Sequence, residues 1–194
     1  MNFLAHAYLS GEDDKILLGN FVGDFIKGRQ ALNSFDRETI RGVELHRAID
    51  EFTDNHPVVH DSKNRLRPKY RHYAGVIVDV FYDHFLAIHW KSLHHQTLEK
   101  FADDTYRTIG MFTDVLPLEF KQMLPYMIRG NWLVSYGDIK GIHRALSGMA
   151  SRTPYESKME VASDDLRNYY NEFNDEFTRF FPDLKKFASE WLST

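Results

Sequence analysis

Metal-capable side chains recur four residues apart inside segments that otherwise read as apolar helix. They are Asn20/Asp24 in GNFVGDFIKG, His46/Asp50 in GVELHRAIDEF and Asp79/Asp83 in GVIVDVFYDHF, the last followed at once by His84. On an α-helix, residues i and i+4 share a face with about 5–6 Å between their β-carbons, so each pair can aim two ligands or two proton-handling groups at one spot. Buried carboxylates are costly unless paired, hydrogen-bonded or metal-bound. Three such pairs in one small chain point to a shared polar centre, and a divalent cation accounts for it most economically.

Each pair also has a plainer reading. His46 can cap a carbonyl while Asp50 pairs with Arg47 on a wet surface, and Asp24 can pair with Lys27 along its helix. Asp79/Asp83 resists that treatment, because Val76, Val80, Phe81, Phe85 and Leu86 leave little of the helix free to face water. Two carboxylates there repel unless one takes a proton or a cation sits between them. His84, about 100° round the helix, either joins the same ion or serves a neighbouring subsite. His6, among Phe3, Leu4 and Ala7, reads as a core histidine that only supports the pattern. The literal His60-Asp61 dipeptide reads as a decoy in an exposed segment, and His94-His95 as part of a loop.

Composition narrows the chemistry. The chain has 194 residues and no cysteine, so thiolate zinc sites, iron–sulfur clusters and cysteine nucleophiles are excluded and any metal must use His, Asp, Glu or Asn. GxSxG, GxxxxGK[ST], HExxH and GxGxxG are all absent, which removes the basic element of serine hydrolase, P-loop, zincin and dinucleotide readings. A net charge of −4 argues against nucleic-acid binding. The first residues lack a basic leader and no apolar run reaches membrane-spanning length, so a cytoplasmic protein without membrane attachment is expected. Lys63, Arg65, Arg67, Lys69 and Arg71 fall together with no acid between Lys63 and His72. A basic patch on an acidic protein suits an anionic partner, or else is a solvated turn.

The elements that must position these groups are helices almost throughout. Segments 2–9, 14–27, 36–54 (capped by Asp36), 57–66 (opened by Pro57 and ended at Arg67-Pro68), 71–91, 95–111, 117–136, 138–150 and 159–192 carry helical patterns. Pro125 should kink or divide 117–136, and a break is expected near Asn174 or Phe181-Pro182. The β-branched run Val76–Val80 mimics a strand, but its continuation to Trp90 favours a buried helix. The fold class expected is an all-α, single-domain helical bundle.

The stretches MNFLAHAYLS, GNFVGDFIKG, GVELHRAIDEFTDNHP, RLRPKYRHYAGVIVDVFYDHFLAIHW and NWLVSYG…RALSGMASR, in order from Met1 to about Arg152, resemble the bacterial acyl-carrier-protein phosphodiesterases. The resemblance implies a helical fold distantly related to the HD phosphohydrolases and a divalent cation, Mn²⁺ ahead of Mg²⁺. It also implies hydrolysis of the phosphodiester that joins 4′-phosphopantetheine to a serine of holo acyl carrier protein, and so a place in fatty-acid and lipid metabolism. Under it, Asp24, His46, Asp50, Asp79 and Asp83 become candidate metal ligands, and His84 a ligand or the acid for the leaving alkoxide. Arg47 and Lys27 would neutralise phosphate charge, and Arg65, Arg67, Lys69 and Arg71 would dock the acidic carrier protein. An HD-like phosphohydrolase of nucleotides or other small phosphodiesters would use the same centre without the docking patch. A non-catalytic helical binding module would keep the pairs as internal salt bridges.

Overall fold

The structure is a computed structural model that describes all 194 residues apart from the side chain of Arg29. It is helical, with no strand among the described residues, and matches the all-α expectation. Helices α1 (Phe3–Tyr8), α2 (Asp14–Val22), α3 (Gly28–Leu32), α4 (Arg37–Asn55) and α5 (Pro57–Tyr70) form the first half. The second comprises α6 (Ala74–Ile88), α7 (Trp90–Leu93), α8 (Leu98–Met111), α9 (Leu118–Arg129), α10 (Trp132–Ser135), α11 (Ile139–Ala150), α12 (Ala162–Asn168) and α13 (Tyr170–Leu192). No helix is long and apolar enough to cross a membrane.

Local chemistry sets the starts. Asp13 accepts from the amides of Lys15 and Ile16 to cap α2, and Asp36 accepts from Thr39 to cap α4. Pro57 opens α5, where its missing amide costs nothing. Helix α6 is the centre of the core: Ile77, Val78, Val80, Phe81, Tyr82, Phe85 and Leu86 are all buried, and packing overrides their strand propensity.

Several expected helix ends and breaks differ. Helix α5 runs on through Pro68 to Tyr70, and α13 passes Pro182 without a break. In α13 the buried face of Phe173, Phe177, Phe180, Phe181, Leu184 and Ala188 outweighs the roughly 3 kcal/mol penalty of an internal proline. The interruption comes instead at Tyr169, between α12 and α13. The 117–136 segment divides not at Pro125 but after Arg129, where Asn131 takes a left-handed φ of 39°.

Helices α2 and α4 form the most extensive helix pair and meet backbone to backbone. A β-carbon on Gly19 would lie 2.0 Å from the Thr39 carbonyl, and one on Gly42 would lie 2.3 Å from the Ile16 carbonyl. Only glycine permits that approach. Gly19→Ala or Gly42→Ala should therefore cost about 3 kcal/mol or more of unfolding free energy, the upper range for overpacking, because the obstructing atoms are backbone. Chemical denaturation of either variant at wild-type stability would show that the helices separate easily.

Candidate metal centre

The α2–α4 seam sets where the polar groups meet. Helix α2 stops at Val22, and Gly23–Phe25 turn as a 3₁₀ segment. A β-carbon on Gly23 would lie 2.4 Å from Cγ of His46, so the bare glycine makes room for that imidazole. The expected Asn20/Asp24 face is thereby split. Asn20 points inward and is fully buried, whereas the Asp24 side chain is 74% exposed at the rim.

Asn20 fixes both histidines. Its amide nitrogen donates to the His6 carbonyl (2.8 Å) and to Ser10 Oγ (3.0 Å), which leaves Oδ1 to accept from His6 Nδ1 at 2.8 Å. The Asn20 backbone carbonyl accepts from His46 Nδ1 at 2.7 Å. Each Nδ1 is thereby a donor held from behind, which leaves each Nε2 as the nitrogen able to ligate a cation once it carries no proton. The rings stack with centroids 3.9 Å apart.

Both Nε2 atoms face carboxylate oxygen. His6 Nε2 is 3.2 Å from Asp50 Oδ1, yet it is buried and makes no hydrogen bond. His46 Nε2 is 3.2 Å from Asp50 Oδ2 and 3.3 Å from Asp24 Oδ1. One donor atom from each of His6, His46 and Asp50 lies within 4.8 Å of the others, a grouping that could hold a metal ion. Asp79, half-buried on α6, lies 2.9 Å from the Met1 amine, which is also 3.5 Å from Asp50 Oδ1.

Protonation follows this geometry. Burial pulls the His46 imidazole down, but the Asp24 and Asp50 carboxylates outweigh it and hold the ring up to about 9. Burial, reinforced by His46, lowers His6. Burial pushes Asp50 up, yet the two neighbouring histidines and the amine hold it far below the ordinary carboxylate range. Burial raises Asp79 against the pull of the same amine.

The structure thus brings Asp24, His46, Asp50 and Asp79 of the expected set to one place and adds His6 and Asn20. It does not bring Asp83 or His84 there. Asp83 caps α1, accepting from the amides of Leu4 (2.8 Å), Asn2 and Ala5 (both 3.3 Å). Burial pushes its carboxyl up to about 7 against those donors and the amine. No cation is needed between Asp79 and Asp83, because each carboxylate has its own partner. His84 Nδ1 bonds the Tyr136 carbonyl (2.7 Å) and Nε2 the Tyr170 hydroxyl (3.1 Å), so both its nitrogens are taken up inside the fold. Arg47 is exposed and reaches the Ile26 carbonyl at 3.4 Å, on the Asp24 side of the cluster, and Lys27 is exposed nearby in sequence. His60 bonds the Asp54 carbonyl in an exposed position, away from any ligand set, as the sequence suggests.

The basic run is neither a turn nor uniformly free. It lies on α5, where Lys63 pairs with Asp54 (2.6 Å) and Lys69 with Asp165 (2.7 Å). Arg65 makes two 2.7 Å bonds to the buried Glu176 and lies over the Phe173 ring. Arg67 bonds only the Asn64 side chain, and Arg71 is exposed at the helix end. The run itself shows no acid because the compensating acids come from other helices, α4, α12 and α13.

In the folded chain His46 holds its proton more tightly than at the ordinary value of 6.5. That stabilisation is complete below about pH 6.5 and fades as pH rises through about 9. The Met1 amine, raised to about 10 because Asp79 and Asp50 outweigh its burial, adds to the same trend. In chelating buffer Tm should fall across this window, and His46→Gln should flatten the fall. A flat wild-type profile would show that His46 carries no such proton.

Residues 1–184 match the sequence model of the family described as acyl carrier protein phosphodiesterase. Relatives of that name include one from Photorhabdus laumondii, 32% identical over 183 residues and covering 94% of this chain and 92% of its own. One from Klebsiella pneumoniae is 34% identical over 189 residues, 97% of each chain. One from Escherichia coli is 33% identical over 190 residues, 97% of this chain and 98% of its own. No solved structure gives a significant match. Matched over nearly its whole length by the family and by relatives above 30% identity, the chain belongs to the acyl carrier protein phosphodiesterases and is a phosphodiesterase.

Proposed function

We propose that the protein hydrolyses the phosphodiester between 4′-phosphopantetheine and a serine of holo acyl carrier protein, releasing the apo protein, at a divalent cation held by His6, His46 and Asp50. The observation that carries this reading is the pair of Nε2 atoms converging on one carboxylate, with both Nδ1 atoms anchored on Asn20. Membership of the family supports the substrate. Mixed imidazole and carboxylate donors suit Mn²⁺ better than Mg²⁺, which favours an all-oxygen shell. Bound there, such an ion supplies acidified water at neutral pH and a Lewis acid for a phosphoryl oxygen.

The chain's own groups do the rest. Asp24 faces solvent beside His46, whose hydrogen bond keeps its carboxyl below the ordinary value, so it is a carboxylate able to accept a proton from attacking water. Arg47, and Lys27 with it, supply positive charge at the same rim for the phosphate. Asp79 sits behind Asp50 and shares the Met1 amine with it. Of the basic run, Arg67 and Arg71 have no acidic partner and are the residues that meet the acidic carrier protein.

Mass spectrometry of holo carrier protein should show loss of the phosphopantetheine arm with Mn²⁺ and none with EDTA; an unchanged mass with every divalent ion tried would sink the reading. Asn20→Ala should cost about 10–100-fold in activity or metal affinity, as loss of an orienting partner does, and His6→Ala at least as much. His84→Phe should instead cost about 1–3 kcal/mol of stability by leaving the Tyr136 carbonyl unpaired, with kcat little changed. Arg67→Glu with Arg71→Glu should raise KM for carrier protein and weaken its salt dependence. Arg65→Glu should destabilise the fold by about 3–5 kcal/mol, because it strands Glu176. Unaltered kinetics in the Arg67/Arg71 double variant would remove that docking surface.

A further inference from the structure

A cleft of about 670 Å³ opens between α9 and α11. Met123 and Tyr126 of α9, Trp132 of α10, and Ala145 and Met149 of α11 line it, with Glu119, Gln122, Arg144 and Arg152 as its charged and polar groups. Its wall also includes Phe3, the first residue of α1. Phe3 and His6 are one turn apart on that helix, with about 5–6 Å between their β-carbons, so the cleft and the metal-ligand cluster share a wall one helical turn wide.

The volume lies within the roughly 300–1,000 Å³ of small-molecule sites. A docked helix, about 10–12 Å across with its side chains, is a poor occupant of such a space. Apolar walls with a few separated hydrogen-bonding groups suit a slender chain of methylenes and amides that ends in a thiol or thioester. Charged phosphate belongs at the neighbouring cluster. Resting on the function proposed above, we propose that this cleft seats the thiol-terminal part of the substrate's arm together with any acyl chain it carries. Gly148 sets the room available: it lines the cleft, and a β-carbon there meets nothing within 4 Å. Gly141, on the same helix, would collide with the Ser135 carbonyl at 1.8 Å, so its bareness serves packing rather than the ligand.

The test uses Gly148→Leu and Gly148→Trp, which add bulk from a position on the cleft wall where a β-carbon meets no neighbour and should leave Tm unchanged or raised, because glycine is a poor residue inside a helix. Titrating the wild-type protein with S-octanoyl-pantetheine should give a saturable change in Trp132 emission that Trp132→Phe abolishes and Gly148→Leu weakens about tenfold. With carrier protein as substrate, Gly148→Trp should raise KM for an octanoyl-bearing arm about tenfold more than for the bare thiol arm. Absence of saturable binding, or binding and KM that ignore Gly148, would overturn the proposal. Binding that responds to Gly148 in a protein that cleaves no carrier protein would overturn the proposed function and leave the cleft's ligand standing.

Discussion

Asn20 holds histidines from two different helices in a single orientation, each with Nδ1 as the donor. Its side-chain oxygen takes His6 Nδ1, its backbone oxygen takes His46 Nδ1, and its amide nitrogen is used up on the His6 carbonyl and Ser10. A side chain with both donor and acceptor faces is required, and it must be dry for those bonds to hold the rings rigidly. Everything polar at the centre follows: two Nε2 atoms turned inward, one carboxylate between them, and Asp24 and Asp79 at the margins.

That constraint relies on an apolar one. Asn20 is buried because Gly19 lets α2 lie against α4, and His46 fits because Gly23 leaves its ring space. The same close approach ends α2 early and turns Asp24 outward. Asp83, one turn along α6 from Asp79, fixes the third element by receiving the N-terminus of α1, where backbone amides and helix dipole favour a carboxylate. Glycine packing therefore places His46 of α4 and its anchor Asn20 on α2, while an acidic cap places the helix that brings His6.

The helical class, the caps at Asp36 and Pro57, and the His46/Asp50 pair were legible because each depends on spacing within one segment. His6 was undervalued for the opposite reason: as a single histidine on an apolar helix it has no local partner, and its meaning lies in Asn20 and Asp50. Asp79/Asp83 misled through the same gap, since i,i+4 spacing shows that two carboxylates share a face but not that one meets an amine and the other a helix end. The α5 cations looked free because Asp54, Asp165 and Glu176 come from other elements. Pro182 reads as a break in sequence because the buried aromatic face that overrides its local penalty is a property of the packed fold.

His6 and His46 stand forty residues apart in a chain without a cysteine. A cation joining them would be a crosslink where no disulfide can form, closing a loop whose chain-entropy value is roughly 4 kcal/mol. Helix α1, only six residues long, is too short to persist by itself, so such a tie would fasten the segment least able to hold its own shape. Catalytic competence and the anchoring of the chain's first turn would then rise and fall together with the supply of a single ion.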